Sequence, residues 1–126
     1  MSVGQYIDIK QYTDIPKNIS IFTYVPQTQL LTDVDIFITH GGLNSTQEGL
    51  LSGIPIIVIP QRYDQFDNAR RVEQLEAGIF LDKNKNKITV DVLKNAVNDI
   101  VVNREKYKKV NEARNNRKNI YQKIFV

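Results

Sequence analysis

The sequence contains no cysteine and no tryptophan, and only one histidine and one methionine. Without cysteine the chain cannot form disulfides or thiolate metal sites. It therefore lacks the disulfide framework that is typical of small secreted domains. No N-terminal segment joins a basic flank to a long apolar run, so we expect a cytoplasmic protein. The longest apolar run, 54–60, includes two prolines and is far shorter than the roughly 20 residues that cross a bilayer. We therefore predict no membrane span and interpret this run as a buried strand.

The 126 residues, 41% hydrophobic and 25% charged, suit one soluble domain with its own core and are too few for two. The net charge of +3 is unevenly divided, because residues 101–126 hold eight of the 17 basic residues and two of the 14 acidic ones. This basic tail could contact nucleic acid, but its apolar residues recur at near-helical spacing, which favours a packed helix. We therefore expect no nucleic-acid partner.

Short β-branched runs alternate with amphipathic stretches, which is the pattern of a parallel sheet with helices on both faces. The predicted strands are 19–23, 36–39, 56–59 and 78–81, and the predicted helices are 45–52, 66–77 and 90–102. Thr89 is placed to cap the last helix, and Gly53 and Gly78 to end the two before it. The fold class is therefore α/β, a Rossmann-like sheet. Residues 1–4 read like the end of a strand whose beginning is absent, so we expect the sheet to lack its first strand.

The block 36–48 is the most informative part of the chain and reads as strand, tight turn and helix. Unpaired amides and the helix dipole make such a helix start attractive to phosphate, and Gly41 and Gly42 allow a close backbone approach. Three side-chain donors surround the same point: His40, Asn44 and Ser45. No lysine of the P-loop type accompanies them, which favours binding a diphosphate over phosphoryl transfer. An equally simple interpretation is a capping box over residues 45–48 that only closes the helix.

A second turn from strand to helix follows at 60–65 and opens at the same edge of a parallel sheet, where ligands of α/β folds bind. Asp64 and Gln65 offer a carboxylate and an amide, which can accept from and donate to neighbouring hydroxyls of a sugar ring. Alternatively, Asp64 is the N-cap of an ordinary helix, supported by Asp67 in the first turn.

In their order and spacing, these motifs resemble the donor-binding signature of the family 1 UDP-glycosyltransferases with the GT-B fold. The matching run comprises Tyr24-Val-Pro-Gln27, His40-Gly-Gly-Leu-Asn-Ser-Thr-Gln-Glu48, Gly53-Ile-Pro55, Pro60 and Asp64-Gln65. The bacterial macrolide glycosyltransferases are most similar, and the UDP-glucuronosyltransferases share the His-Gly-Gly turn. The resemblance covers nearly the whole chain and is strongest from 24 to 82.

The resemblance implies a role for each matching residue. Tyr24 stacks on the uracil where the family often has tryptophan, Gln27 or the neighbouring backbone reads the base edge, and Glu48 holds the ribose hydroxyls. The pyrophosphate contacts fall on the glycine turn and helix start: His40, Gly41, Gly42, Asn44 and Ser45. The transferred sugar is contacted by Asp64 and Gln65.

The resemblance also implies an activity, the transfer of a hexose, with glucose expected, from a UDP-sugar to a hydroxyl of a small acceptor with inversion and without a metal. Residues 1–126 correspond to the C-terminal donor-binding domain, incomplete at its N-terminus. The base comes from an N-terminal acceptor-binding domain in the family, so we expect no catalytic residue here and no turnover by this chain alone. A helix over 104–126 is expected to pack against that missing domain.

Three further questions stay open on the sequence. The chain could be a nucleotide-sugar-binding module, or the product of a truncated gene, with no activity of its own. It could belong to a sugar-nucleotide epimerase of the same architecture, although the spacing from Asn44 to Gln65 follows the transferases. The choice between a UDP and a TDP donor is also undecided.

Overall fold

The computed structural model describes residues 1–2, 6–107 and 112. Within them, three short parallel strands lie in the order β1-β2-β3 and alternate with helices along the chain. The elements are a 3-10 turn (Ile9–Gln11), α1 (Gln27–Leu30), β1 (Phe37–Thr39), α2 (Leu43–Ser52), β2 (Ile56–Val58), α3 (Asp64–Gln74), β3 (Gly78–Phe80) and α4 (Val90–Val102). The predicted α/β class, a parallel sheet flanked by helices, is confirmed.

The central strand β2 explains why the sheet is covered on both faces. Its three residues are fully buried, and successive side chains of a strand point to opposite faces. Ile56 and Val58 pack in the cluster that contains Ala69 and Val72 of α3. Ile57 packs on the other face with Ala96 and Ile100 of α4. A run that is apolar at every position, rather than at alternate ones, is what a strand buried on both faces requires.

The helix ends follow the predictions in two of three places. The Thr89 side chain accepts a hydrogen bond from the Val92 amide at 3.2 Å and caps α4. Gly53 ends α2 in the left-handed conformation with φ of 71°. The stop predicted at Gly78 is wrong, because α3 ends at Gln74 and Glu76 takes the positive φ of 52°. Gly78 instead begins β3, where a Cβ atom would collide with the backbone carbonyl of Ile56.

The strand predicted at 19–23 is also wrong. The described part of this segment makes one isolated bridge, between Ser2 and Phe22, and Phe22 is 49% exposed. Alternating apolar residues become a strand only when a sheet edge is available to pair with them, and the pattern cannot show whether one is. The short helix α1, which the sequence did not predict, follows Pro26 as its N-cap. The strand end expected at 1–4 falls partly on residues 3–5, outside the described residues.

The predicted tail helix is described only at its beginning. Residues 104–107 are helical, and the Tyr107 side chain is 5% exposed and packs in the cluster with Ile57 and Ile100. Apart from residue 112, the rest of the expected helix over 104–126 lies outside the described residues. Among the helices that the structure describes, none is long and apolar enough to cross a membrane.

Candidate functional site

Two turns from strand to helix lie side by side at the carboxyl edge of the sheet. Strands β1 and β2 are parallel and paired from Phe37–Ile56 to Thr39–Val58, so the chain leaves both at the same edge. A Cβ atom on Gly41 would stand 3.1 Å from the Gln65 carbonyl oxygen. The Asn68 side chain donates a hydrogen bond to the Gly41 carbonyl oxygen at 2.8 Å. The glycine turn after β1 is thus tied directly to the start of α3.

The glycine turn leaves the first amides of α2 open. Helix α2 begins at Leu43 with Gly42 as N-cap, and no side chain caps it. The capping box predicted over residues 45–48 is therefore wrong, since Ser45 lies inside the helix. Gly41 takes φ of 88°, and a Cβ atom there would stand 2.7 Å from Cγ1 of the buried Val58. Because the first-turn amides of a helix lack intrahelical partners and carry the positive end of its dipole, this turn can hold an anion.

His40 and Asn44 flank the open helix start. The Nε2 atom of His40 lies 2.9 Å from the point where a Cβ atom on Gly42 would stand, so the imidazole ring rests against the N-cap residue. Any side chain at position 42 would displace it. His40 and Asn44 are both exposed, which leaves their polar atoms available to a bound anion.

Gln27, Ser45 and Glu48 form one hydrogen-bonded group. The Gln27 side-chain amide donates to Glu48 Oε2 at 2.7 Å and to Ser45 Oγ at 3.2 Å. Ser45 and Glu48 are three residues apart on α2 and so share a face of the helix. Gln27 reaches them from the first residue of α1. Three residues singled out from the sequence are therefore in contact, although they come from two different helices.

Asp64 and Gln65 are the first two residues of helix α3. The N-cap of α3 is Tyr63 and no side chain caps this helix, so the predicted capping role of Asp64 is wrong and its carboxylate is exposed. Gln65 Oε1 accepts hydrogen bonds from the amides of Gln61 at 2.9 Å and Arg62 at 3.1 Å. The side-chain oxygen Oε1 of Gln65 therefore holds its own loop, and the side-chain NH2 group is the part left to meet a ligand.

Three residues at this edge were missed by the sequence reasoning. Lys83, after β3, donates from Nζ to the Gln61 carbonyl oxygen at 3.2 Å and so supports the same loop. Asn68 holds Gly41, as described above. Tyr63 takes a positive φ of 28° beside Asp64 and is 89% exposed. No sequence signal distinguishes a strained tyrosine from an ordinary one, and the other two act through contacts remote in sequence.

Tyr24 lies two residues before the N-cap of α1 and is 71% exposed. Its ring therefore has a free face, as a stacking residue needs. The fold and the two turns together define a Rossmann-like α/β domain of the GT-B type, with polar groups gathered at the carboxyl edge of its sheet.

Comparison with known proteins gives the family. Residues 6–119 match the family of erythromycin biosynthesis protein CIII-like C-terminal domains, and the chain belongs to that family. It is therefore a C-terminal domain of the UDP-glycosyltransferase type, as the resemblance implied. The chain is 44% identical over 105 residues to the NDP-glycosyltransferase YjiC of Bacillus subtilis (strain 168), covering 83% of this chain and 26% of that protein.

Two further comparisons agree. The oleandomycin glycosyltransferase of Streptomyces antibioticus is 32% identical over 94 residues, which cover 75% of this chain and 21% of that protein. A crystal structure of the "Glycotransferase of kitacinnamycin" superimposes with a TM-score of 0.84 at 30% identity, covering 95% of this chain and 30% of that chain. The chain thus spans about a quarter of the length of these curated relatives.

Proposed function

We propose that this domain binds the nucleotide-sugar donor of an inverting glycosyltransferase that moves a hexose from a UDP-sugar to a hydroxyl of a small acceptor. The observation that carries the proposal is the meeting of three groups at one sheet edge. These are the open start of α2, the Gln27–Ser45–Glu48 group and the turn before α3. Glucose is the sugar we assign, on the family pattern of an acidic residue followed by glutamine.

The diphosphate is assigned to the start of α2. The amides of its first turn, the Ser45 hydroxyl and the side chains of His40 and Asn44 supply hydrogen-bond donors around one point. When the bond between the anomeric carbon and the diphosphate oxygen breaks, negative charge develops on that oxygen. Donors already held in place stabilise this charge without reorganising, which is the largest contribution such a site makes to the rate.

The nucleoside and the sugar are assigned to the two sides of this point. Glu48 lies one helical turn beyond Ser45, where its free carboxylate oxygen can accept from a ribose hydroxyl. The exposed ring of Tyr24 is assigned to the uracil. Asp64 accepts from, and the Gln65 NH2 group donates to, hydroxyls of the transferred sugar.

The proton of the acceptor hydroxyl must go to a base as the acceptor oxygen bonds to the anomeric carbon and UDP leaves. The sole histidine of the sequence is His40, which the proposal places at the diphosphate. We therefore assign the base to another domain and no catalytic residue to this chain. The proposed site uses protein donors and no metal, and we place the protein in the cytoplasm.

Isothermal titration calorimetry of the 126-residue chain tests the proposal with UDP, UDP-glucose, UDP-glucuronate and TDP-glucose. We expect UDP and UDP-glucose to bind, EDTA to leave their Kd unchanged, and Asn44→Ala and Glu48→Ala each to weaken binding by about tenfold, the value of one hydrogen bond to a charged group. If the chain binds none of the four ligands, the donor-site assignment is refuted. Glycosyl transfer by the purified chain alone would refute the assignment of the base elsewhere.

A further inference from the structure

The Gln27 side chain joins the two halves of the proposed nucleotide site. Its single nitrogen, Nε2, lies 2.7 Å from Glu48 Oε2 and 3.2 Å from Ser45 Oγ. The three side chains are half-buried, so water competes less for these bonds than it does at an open surface. The contact spans 18 residues of sequence to Ser45 and 21 to Glu48. Gln27 is therefore held by α2 rather than directed only at solvent.

The donors and acceptors of these three side chains determine which atoms remain for a ligand. A glutamine amide has two N–H donors, and here one faces the Ser45 hydroxyl and the other the Glu48 carboxylate. Because Ser45 Oγ accepts from Gln27, its own hydrogen stays free to donate outward. Glu48 Oε2 accepts from Gln27, and Oε1 makes no hydrogen bond to the residues that the structure describes, so Oε1 can accept from a ligand. The group thus presents a donor toward the start of α2 and an acceptor one turn later.

That polarity suits a nucleoside diphosphate. A phosphate oxygen needs a hydrogen-bond donor, and the free hydroxyls of the ribose that carries the phosphate need an acceptor. Gln27 also supplies a donor to the Glu48 carboxylate, whose negative charge would otherwise be less well compensated beside a bound anion. By contrast, both N–H groups of Gln27 are committed to protein atoms, so they are not free to donate to the edge of a base.

We propose that Gln27 is a positioning residue that orients Ser45 toward the diphosphate and Glu48 toward the ribose, and that it donates no hydrogen bond to the base. This inference rests on the proposed donor-binding function. Of the two groups expected to read the base edge, the Gln27 side chain and the neighbouring backbone, it favours the backbone.

Calorimetry on Gln27→Met separates the two roles, because methionine keeps the length of the side chain and removes both donors. We expect Kd for UDP to rise about ten- to thirtyfold, the combined effect of the tenfold expected through Glu48 and a few-fold through Ser45. The ratio of Kd values for CDP and UDP should stay unchanged. Gln29→Met is the matched control, the same substitution at an exposed position of the same helix, and should leave Kd unchanged.

A double-mutant cycle with Glu48→Ala tests whether Gln27 acts through Glu48. Once Glu48 is removed, Gln27→Met should cost at most a few-fold, reflecting Ser45 alone. Thermal unfolding of each variant without ligand keeps loss of fold separate from loss of binding. Full additivity of the two substitutions, or a CDP to UDP ratio that collapses in Gln27→Met, would overturn the inference while leaving the donor site standing. No binding of UDP by the unmodified chain would overturn both.

Discussion

Gly41 has no Cβ atom, and both the fold and the proposed site depend on that. Its φ is 88°, a conformation that residues with a Cβ atom rarely adopt. A Cβ atom there would stand 2.7 Å from Val58 Cγ1 and 3.1 Å from the Gln65 carbonyl oxygen. Val58 is fully buried in the central strand, and the Gln65 carbonyl oxygen belongs to the backbone of helix α3. Neither neighbour can retreat easily, so we predict that Gly41→Ala is destabilising.

The magnitude follows from three terms. Holding an L side chain at positive φ costs about 1–2 kcal/mol, and crowding a packed core costs about 1–3 kcal/mol. Alanine returns about 0.4–1 kcal/mol by restricting the unfolded chain. The net loss in the free energy of unfolding is about 3 kcal/mol, a large share of the roughly 5–15 kcal/mol of an ordinary domain.

Gly49→Ala is the matched control for this substitution. Gly49 lies within α2, and its φ is not positive. The atoms that its Cβ would meet are Cδ1 of the buried Ile56 at 2.8 Å and Cδ1 of Phe37 at 3.0 Å. Crowding there costs about 1–3 kcal/mol and alanine gains about 1 kcal/mol of helix propensity, so the net loss is about 1 kcal/mol, smaller than at Gly41 because no positive φ is involved.

Urea unfolding of both variants, followed by circular dichroism, measures the difference directly. The midpoint of Gly41→Ala should fall well below that of the unaltered chain, and that of Gly49→Ala should fall less. The argument from φ and backbone crowding would be refuted if Gly41→Ala cost no more than Gly49→Ala.

Three smaller predictions concern the described parts of the chain away from Gly41. Tyr63→Gly should raise the free energy of unfolding by about 1 kcal/mol in urea titrations, since relief of strain at φ of 28° exceeds the entropic cost of glycine; a loss would contradict it. Thr89→Ala should cost about 1 kcal/mol by the same assay, while Thr89→Ser should keep the cap of α4 and most of the stability. Burial, and then the nearby charges of Asp99, Glu76 and Glu73, raise the pKa of Tyr107 above its usual value. Its contribution to stability should therefore be intact below about pH 10 and fall as the pH rises toward the folded-state pKa, and Tyr107→Phe should remove that dependence from a pH series of thermal melts.

Local patterns were sufficient for the central part of the fold. The apolar run that contains β2 predicted a buried strand, and helix α4 was predicted with the bounds it has, 90–102. Both depend on spacing and capping within one segment. The strand expected at 19–23 failed because a strand needs a partner edge, and the sequence pattern of one segment carries no information about its neighbours.

For the candidate site too, the sequence predicted the local motifs and the tertiary structure determined the contacts between them. The order of glycines, donors and carboxylates in the sequence was sufficient to predict the family, which the comparisons confirm, and to predict a phosphate-binding turn at residues 40–45, because a helix start and its motif are contiguous in the chain. Tertiary structure decided which partners these side chains have. It turned Gln27 toward Ser45 and Glu48, and it bonded the Gln65 side-chain oxygen Oε1 to the loop before α3. It also set Asn68 against Gly41. Such partners are chosen by the packing of α1, α2 and α3 on the sheet, since a hydrogen bond forms with whichever group the fold brings within reach, whatever its distance along the chain.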